Sequence, residues 1–177
     1  VLYLDRENPA GVVAERLNRL CMATGPDLKF WGLWNDQEPC SPAGAAVLTW
    51  AAKNPGALVV VDSALSFLDG DENSASDVKQ FCGDLRRLTA LGATVLTLHH
   101  SSEKSAAGSK YRGSSYWKGG VDVAFHMVSS NPARLERVEL EPFKARVTVD
   151  RLSLRFDADS GEFRNLEGET QTERLRE

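Results

Sequence analysis

The sequence predicts an α/β fold with a mainly parallel sheet, followed by short antiparallel strands. Two apolar runs rich in β-branched residues, at 57–62 and 93–99, end abruptly in polar or titratable side chains. Such runs are typical of strands buried on both faces of a parallel sheet, because a strand with one wet face alternates apolar and polar residues. Residues 74–91 between them carry apolar side chains at helical spacing and are followed by Gly92, a frequent helix terminator. The three segments predict a strand–helix–strand unit.

Two strands and two helices are expected before this unit. Residues 1–5 predict a strand, and Pro9 then occupies the first helical position that proline favours, in a helix that reaches residue 21. Residues 29–33 predict a short strand. Residues 43–53 predict a helix that ends at an Asn-Pro-Gly turn.

The pattern changes after a polar loop at residues 101–110. Short strands separated by turn residues are expected from there on, at 121–128, 135–141, 145–149, 152–156 and 162–166. Residues 167–177 are charged and lack apolar periodicity, which predicts a flexible tail. The expected organisation is one domain over residues 1–166 and this tail.

Composition excludes several classes of protein. A length of 177 residues suits one domain with its own core. No apolar run approaches the ~20 residues of a membrane span, and the start lacks a signal-peptide pattern, so no membrane partner is expected. The three cysteines form no Cys-x-x-Cys pair, which predicts reduced core thiols and a cytoplasmic location. The net charge of −4 restricts any nucleic-acid binding to a local patch.

Glu7 is a candidate catalytic acid and Asp62 a candidate ligand of nucleotide and metal, since both lie at the ends of predicted strands whose carboxyl ends share one edge of the sheet. A branched aliphatic strand ending in Asp62-Ser63 is a pattern that places one carboxylate beside the Mg²⁺ of a bound nucleotide. The alternative is an aspartate that caps a helix. Glu7 could polarise an attacking water, or it could complement the dipole at a helix start.

Two histidines, His99 and His100, stand at the end of the second apolar run. Adjacent residues of a strand point to opposite faces, so only one of His99 and His100 can face a ligand while the other packs. A zinc site would need more ligands, and the remaining histidine, His126, has no ligand-like spacing to them.

Several cations are candidates for phosphate contacts. Arg112 lies on a loop of small residues and suits bidentate phosphate binding, with a solvated arginine as the alternative. Lys144 and Arg146 would share one face of a strand, or belong to a charged edge strand. Cations outnumber acids between residues 101 and 118, which predicts either a solvated loop or a local site for single-stranded DNA formed by Lys104, Lys110 and Lys118.

Six short motifs carry a likeness to a known family. In order, they are Leu4-Asp-Arg-Glu7-Asn-Pro9, Leu58-Val-Val-Val-Asp62-Ser63, Asp71-Glu-Asn73-Ser, His99-His100, Tyr111-Arg112-Gly-Ser-Ser115 and Lys144-Ala-Arg146. Together, over residues 1–166, they resemble the RecA-like ATPase core. The likeness is closest to plasmid RepA-type hexameric replicative helicases, with DnaB-type helicases more distant. It implies a three-layer α/β core.

The resemblance also implies roles around a bound nucleotide. Glu7 corresponds to the glutamate that activates water, and Asp62 to the Walker B acid that orients Mg²⁺, with Ser63 beside it at the nucleotide. His100 corresponds to the sensor that hydrogen-bonds the γ-phosphate of ATP.

Further roles implied by the resemblance concern neighbouring subunits and DNA. Arg112 resembles the arginine finger given to a neighbour. Lys144 and Arg146 match a Lys-x-Arg element that reaches a neighbour's nucleotide. The loop at 101–110 lies where the family's DNA-binding loop lies.

The chain departs from this family at one large point. None of its 177 residues forms the phosphate-binding pattern Gly-x-x-x-x-Gly-Lys-Ser/Thr. The family's loop precedes the strand that begins here, and the chain starts at Val1 rather than Met. We therefore expect a truncated core without its first strand and P-loop, which by itself binds nucleotide poorly. Asn8 stands where the RepA pattern has an acid, which leaves Glu7 as the carboxylate there.

The predicted function is part of an ATP- and Mg²⁺-dependent oligomeric DNA motor. The expected protein is a RepA-like replicative helicase of a plasmid, phage or integrated element, a ring of identical subunits, most simply a hexamer, on single-stranded DNA. Two alternatives stay open. One is a RecA-, RadA- or KaiC-like ATPase in recombination or regulation, and the other is a non-catalytic module that keeps the fold for assembly.

Overall fold

The computed structural model describes residues 1–22, 24–35, 41–100, 112–129, 137–157 and 159–166. The chain divides into two compact units, residues 1–121 and 122–177. The first contains a four-stranded parallel sheet with helices, and the second a four-stranded antiparallel sheet. The predicted α/β fold is confirmed, and it is compatible with a RecA-like core. The assignment of residues 1–166 to one domain stays a prediction, and the predicted tail at 167–177 lies outside the described residues.

The first unit contains the predicted strand–helix–strand unit and the elements expected before it. Its strands are β1 (Leu2–Asp5), β2 (Lys29–Gly32), β3 (Leu58–Asp62) and β4 (Thr94–Thr97). Its helices are α1 (Ala10–Arg19), α2 (Ala45–Lys53), α3 (Ala64–Phe67), α4 (Ala75–Ala90) and α5 (Tyr116–Gly120). The strands lie in the order β2-β1-β3-β4. The short helices α3 and α5 were not predicted from the sequence.

The core of this unit lies on one face of the sheet. Alternate residues of β1 and β3 point to this face and pack against apolar side chains of α2, α3, α4 and α5, among them Val47, Phe67, Leu88 and Trp117. Val60 of β3 and Val13 of α1 are buried outside this cluster. β3 is therefore buried on both faces, as its apolar run predicts.

Helix α4 follows its sequence signals closely. Its N-cap residue Ser74 accepts a hydrogen bond from the Asp77 backbone N–H at 3.4 Å, which satisfies one of the free donors of the first turn. The buried residues of α4 are Val78, Phe81, Cys82, Leu85 and Leu88. Leu91, which the helical spacing also included, is the C-cap residue and is 37% exposed. Cys82 is thus a core thiol, as predicted, whereas Cys21 is exposed and the prediction of a core thiol is wrong there.

The prediction that β4 is buried on both faces is wrong. Leu96 and Leu98, in β4 and just after it, are 49% and 42% exposed. Within the described sheet β4 is an edge strand, paired with β3 on one side. An apolar run reports the hydrophobicity of a strand, but its burial depends on the neighbours that the topology supplies.

The second unit is an antiparallel meander. Its strands β5 (Val123–Ser129), β6 (Arg137–Ala145), β7 (Leu152–Phe156) and β8 (Phe163–Asn165) pair in chain order. The predicted turn before β8 is confirmed by a hydrogen bond from the Gly161 N–H to the Asp157 carbonyl at 2.8 Å. None of the helices in the described ranges has the length and apolarity that a membrane crossing requires.

The sequence predicted two strands, at 135–141 and 145–149, where the structure has the single strand β6. Pro142 separates the two predicted strands, and proline has no N–H to give to a ladder. In the structure Pro142 pairs opposite Phe125, where the register between β5 and β6 shifts. Such an irregularity lets a strand continue past a residue that cannot donate.

Candidate functional site

Polar side chains gather at the carboxyl ends of the parallel strands. β1 and β3 are in register so that Asp5 lies opposite Asp62, and Glu7 and Ser63 follow directly in the chain. Ligands of open α/β sheets bind at this edge. The structure thus confirms that the two candidate acids, Glu7 and Asp62, share one rim of the sheet.

Glu7 is held through one of its carboxylate oxygens. Its Oε1 accepts hydrogen bonds from the Ser63 hydroxyl at 2.5 Å and the Ser66 hydroxyl at 2.6 Å. These two bonds, that of Ser63 first, lower the pKa of Glu7 below its usual value because they favour the charged form. The side chain remains 31% exposed, and its Oε2 lies 3.6 Å from His100 Nε2. The sequence predicted Ser63 beside a nucleotide; its hydroxyl is directed at Glu7.

This geometry suits a group that orients water. The carboxylate is ionised at neutral pH, its position is fixed by Oε1, its Oε2 faces His100, and the side chain is partly exposed to solvent. The alternative that Glu7 supports a helix start is wrong, because α1 begins at Ala10 and has no acid in its first turn. An ionised, solvent-accessible carboxylate can accept a hydrogen bond from an attacking water.

Asp62 lies in a different environment. Its Oδ2 accepts a hydrogen bond from the Tyr3 hydroxyl at 2.8 Å and a longer one from Asn8 Nδ2 at 3.5 Å. Burial raises the pKa of Asp62, and repulsion from Asp5 and Glu7 adds to this, while the Tyr3 bond opposes it. The pKa of the Tyr3 hydroxyl is itself raised, by burial first and then by Asp62.

The carboxylate of Asp62 is a donor of the kind that Mg²⁺ takes, although the described residues contain no cluster of three ligand side chains around it. Carboxylate oxygens are the ligands that Mg²⁺ prefers, and it keeps several of its waters. A cation beside Asp62 would offset the repulsion that raises the pKa of this acid. The alternative that Asp62 caps a helix is wrong, because its carboxylate is bonded to Tyr3 and Asn8, and Ser63 is the N-cap residue of α3.

Asp5 is a site residue that the sequence analysis missed. It is 1% exposed, and its Oδ1 accepts the backbone N–H groups of Glu7 at 2.8 Å and Asn8 at 2.9 Å. Asp5 thereby shapes the turn that presents Glu7. Asn8 Nδ2 donates to Asp5 Oδ2 at 3.1 Å and contacts Asp62 at 3.5 Å, so the Asn8 amide lies between two acids. An acid in place of Asn8 would add a third negative charge there. The sequence did contain a signal for Asp5. Like Asp62, it ends an apolar run that predicts a strand.

Ser66 was also missed, because it belongs to the unpredicted helix α3. Arg6 anchors this short helix: its Nη1 donates to the Ser66 carbonyl at 3.0 Å, and its guanidinium carbon lies 4.6 Å from the centre of the Phe67 ring. This contact fixes α3 against the residue that precedes Glu7. The spacing of Ser66 three residues after Ser63 was the sequence signal for two hydroxyls on one side of a helical turn.

The two histidines after β4 point in different directions, as predicted. His100 faces Glu7, whereas the His99 ring stacks on Trp117 with centroids 4.5 Å apart. His99 Nε2 is also 2.9 Å from the Arg112 carbonyl oxygen. The arrangement places His100 at the rim. Its role as a γ-phosphate sensor stays a prediction.

Arg112 is ion-paired rather than merely solvated. Its Nε donates to Glu72 Oε1 at 2.5 Å, while its side chain is 55% exposed. Arg112 is thus both ion-paired and partly solvated, and its role in phosphate binding stays a prediction. Among the predicted DNA contacts, Lys118 lies exposed on α5, and Lys104 and Lys110 lie outside the described residues.

Lys144 and Arg146 belong to the second unit. Lys144 is in β6, and Arg146 directly follows the end of that strand, where its backbone N–H donates to the Asp122 carbonyl at 3.0 Å. That the two cations share one strand face stays a prediction. Arg146 Nη1 pairs with Asp122 Oδ1 at 2.7 Å. The alternative of a charged edge strand is wrong, because β6 is an inner strand that pairs with both β5 and β7.

Comparison with known families identifies one family for this chain. The family model of the AAA domain matches residues 1–106, a range that contains Glu7, Asp62 and His100. No curated protein matches the chain. Because the matched range covers more than half of the 177 residues, the chain carries an ATPase-type domain and belongs to the AAA domain family.

Proposed function

We propose that this chain is part of an ATP-hydrolysing oligomeric DNA motor of the RepA-like replicative helicase type. The observation that carries the hydrolytic part is the state of Glu7. Its carboxylate is ionised, is held through Oε1 by two serine hydroxyls, faces His100 with Oε2, and belongs to a partly exposed side chain. Membership of the AAA domain family supports nucleotide hydrolysis as the activity.

In this proposal each residue of the rim has a separate role. Glu7 orients and polarises the attacking water, and His100 lies where it could hydrogen-bond a terminal phosphate. Asp62 would hold Mg²⁺, directly or through water, and the ion would neutralise charge on the phosphates. Arg112, and Lys144 with Arg146, would supply positive charge to the nucleotide of a neighbouring subunit in a ring, which we propose to be a hexamer.

Asp62 gives the first test. In the full-length gene product we expect ATP hydrolysis to require Mg²⁺, and Asp62→Asn to raise the Mg²⁺ concentration needed for half-maximal rate about 10–100-fold. Because the pKa of Asp62 is raised, protons compete with the ion, so the Mg²⁺ requirement of the wild type should increase as the pH falls. Asp62→Asn should remove this pH dependence.

The measurement is a set of Mg²⁺ titrations of the ATPase rate at several pH values. Asp84→Asn, which removes a partly exposed carboxylate of α4 that pairs with Arg87 at 4.0 Å, is the matched control. An unchanged Mg²⁺ requirement in Asp62→Asn would remove Asp62 from metal binding. Absence of Mg²⁺-dependent hydrolysis in the wild type would overturn the proposed function.

The DNA part of the proposal depends on the loop at 101–110 and on α5. Replacing Lys104 and Lys110 together by alanine should weaken single-stranded DNA binding. Two lost phosphate contacts should also flatten the slope of log K against log salt concentration by about 1.4. We expect the ATPase rate without DNA to change little, because neither lysine is assigned to hydrolysis.

A salt titration of DNA affinity measures both quantities. The control replaces two exposed lysines elsewhere in the first unit, Lys53 and Lys79, by alanine. Equal slopes for the wild type and the Lys104/Lys110 variant would place the DNA path elsewhere on the protein.

A further inference from the structure

The segment that carries Arg112 is attached to the turn before α4 at two points. Glu72 Oε1 accepts from Arg112 Nε, and the Glu72 carbonyl accepts from the Ser114 N–H at 2.8 Å. Gly113 between them has φ +87°, and a Cβ there would lie 2.5 Å from the Glu72 carbonyl oxygen. The close approach therefore requires glycine, and it holds Arg112 at a set distance from Glu72.

The segment that carries Arg112 has a third attachment, to the residues that follow β4. His99 contacts the Arg112 carbonyl oxygen and stacks on Trp117. His100, the next residue, is the one that faces Glu7. The backbone of Arg112 is thus fixed from the β4 side, and its side chain is fixed by Glu72.

The guanidinium is held in a way that leaves its outer end available. Glu72 engages Nε, and within the described part of the chain neither terminal nitrogen of Arg112 makes a hydrogen bond. The Arg112 side chain is 55% exposed and that of Glu72 12%. A guanidinium presents its terminal nitrogens in a rigid, planar arrangement that matches two phosphate oxygens. A hydrogen bond to Nε therefore fixes the orientation of the terminal nitrogens.

Among the residues that the structure describes, the Glu72 side chain has one hydrogen-bond partner, Arg112. Its Oε2 is buried and accepts no hydrogen bond from the residues that the structure describes. A buried carboxylate oxygen without a donor is costly. The hydrogen bond that the side chain makes in the described structure is the one to Arg112, so orienting Arg112 is the role that the contacts support.

We propose that Glu72 is a positioning residue, which orients Arg112 for contact with the nucleotide of a neighbouring subunit. Glu72 itself touches no phosphate and acts through Arg112. The inference rests on the proposed function, because it takes the trans role of Arg112 from there. It adds the group that orients the Arg112 guanidinium before a neighbouring subunit binds.

Rate measurements give the first part of the test. In the full-length gene product, Glu72→Ala should lower kcat about 100-fold, the cost of a misplaced catalytic group. Glu72→Gln keeps an oxygen that can accept from Arg112 Nε and should recover most of this loss. Asp84→Ala, which removes a carboxylate from another arginine pair, should leave kcat unchanged. Equal losses in Glu72→Ala and Glu72→Gln would overturn the positioning role.

Mixed rings separate positioning from a general structural defect. A Glu72→Ala subunit has an intact hydrolytic rim and a misaimed Arg112, whereas a Glu7→Gln subunit has the reverse. Mixing these two should restore turnover, since some interfaces then combine an intact Glu7 with a well-aimed Arg112. Mixing Glu72→Ala with Arg112→Ala should restore none, because both subunits lack a working donor.

The outcomes are distinguishable from failure of the proposed function. Recovery with Glu7→Gln also shows that the Glu72→Ala subunit is folded. If that subunit does not enter rings, Glu72→Asp, with the charge kept and the reach shortened, should give the same mixing pattern. If mixed rings of Glu72→Ala and Glu7→Gln form but turnover is not restored, the inference about Glu72 is overturned. This conclusion requires that mixing Arg112→Ala with Glu7→Gln does restore turnover. An inactive wild type, or an Arg112→Ala variant as fast as wild type, overturns the proposed function or the role of Arg112 instead.

Discussion

Replacing Arg112 by alanine is expected to lower the ATPase rate of the full-length gene product about 10³–10⁵-fold, the range for an arginine supplied by a neighbouring subunit. Glu72 holds Nε of Arg112, and among the described residues neither terminal nitrogen of this half-exposed side chain makes a hydrogen bond. Loss of the guanidinium removes positive charge from the transition state without disturbing the Glu7 rim.

The same variant tests whether Arg112 acts in trans. Mixing Arg112→Ala subunits with Glu7→Gln subunits should restore turnover, because some interfaces then join an intact Glu7 to an intact Arg112. Arg87→Ala, which removes an exposed arginine of α4, is the control and should behave as wild type. If no mixing ratio recovers activity although mixed rings form, Arg112 does not act across the interface.

The second large effect is expected for Glu7→Gln. It should lower turnover about 10²–10⁴-fold, the usual contribution of a general base, while ATP still binds. Glutamine has the size of glutamate, and its Oε1 can still accept from Ser63 and Ser66. The substitution therefore removes the negative charge at Oε2 and leaves the surrounding structure in place.

Turnover and nucleotide binding need to be measured side by side on this variant. Glu15→Gln, on the exposed face of α1, is the matched control. A rate within a few-fold of wild type would remove Glu7 from the mechanism. Loss of binding together with turnover would assign Glu7 to nucleotide affinity rather than to activation of water.

Much of the first unit could be predicted from the sequence because its signals are local. The run at 57–62 identified β3, and the helical spacing at 74–91 identified α4. Once these segments are strands and helices of a parallel sheet, the carboxyl ends of the strands must share one rim. The placement of Glu7, Asp62 and His100 at that rim followed from backbone direction alone.

The same local signals gave errors where the neighbours decide the outcome. The burial of β4 depends on what pairs with it, and its exposed Leu96 shows an edge strand in the described sheet. The continuity of β6 past Pro142 depends on a register shift between β6 and its partner β5. Neither neighbour can be read from the segment itself.

The sequence by itself determined the fold class, the rim of the sheet and the residues that follow its strands. Only the tertiary structure decided which side chains meet there: Glu7 with Ser63 and Ser66, 56 and 59 positions away, and Arg112 with Glu72, 40 positions away. Periodicity gives the direction of a strand or helix, whereas such contacts depend on turns whose shape is set by packing. Those contacts lower the pKa of Glu7 and hold Nε of Arg112 against Glu72.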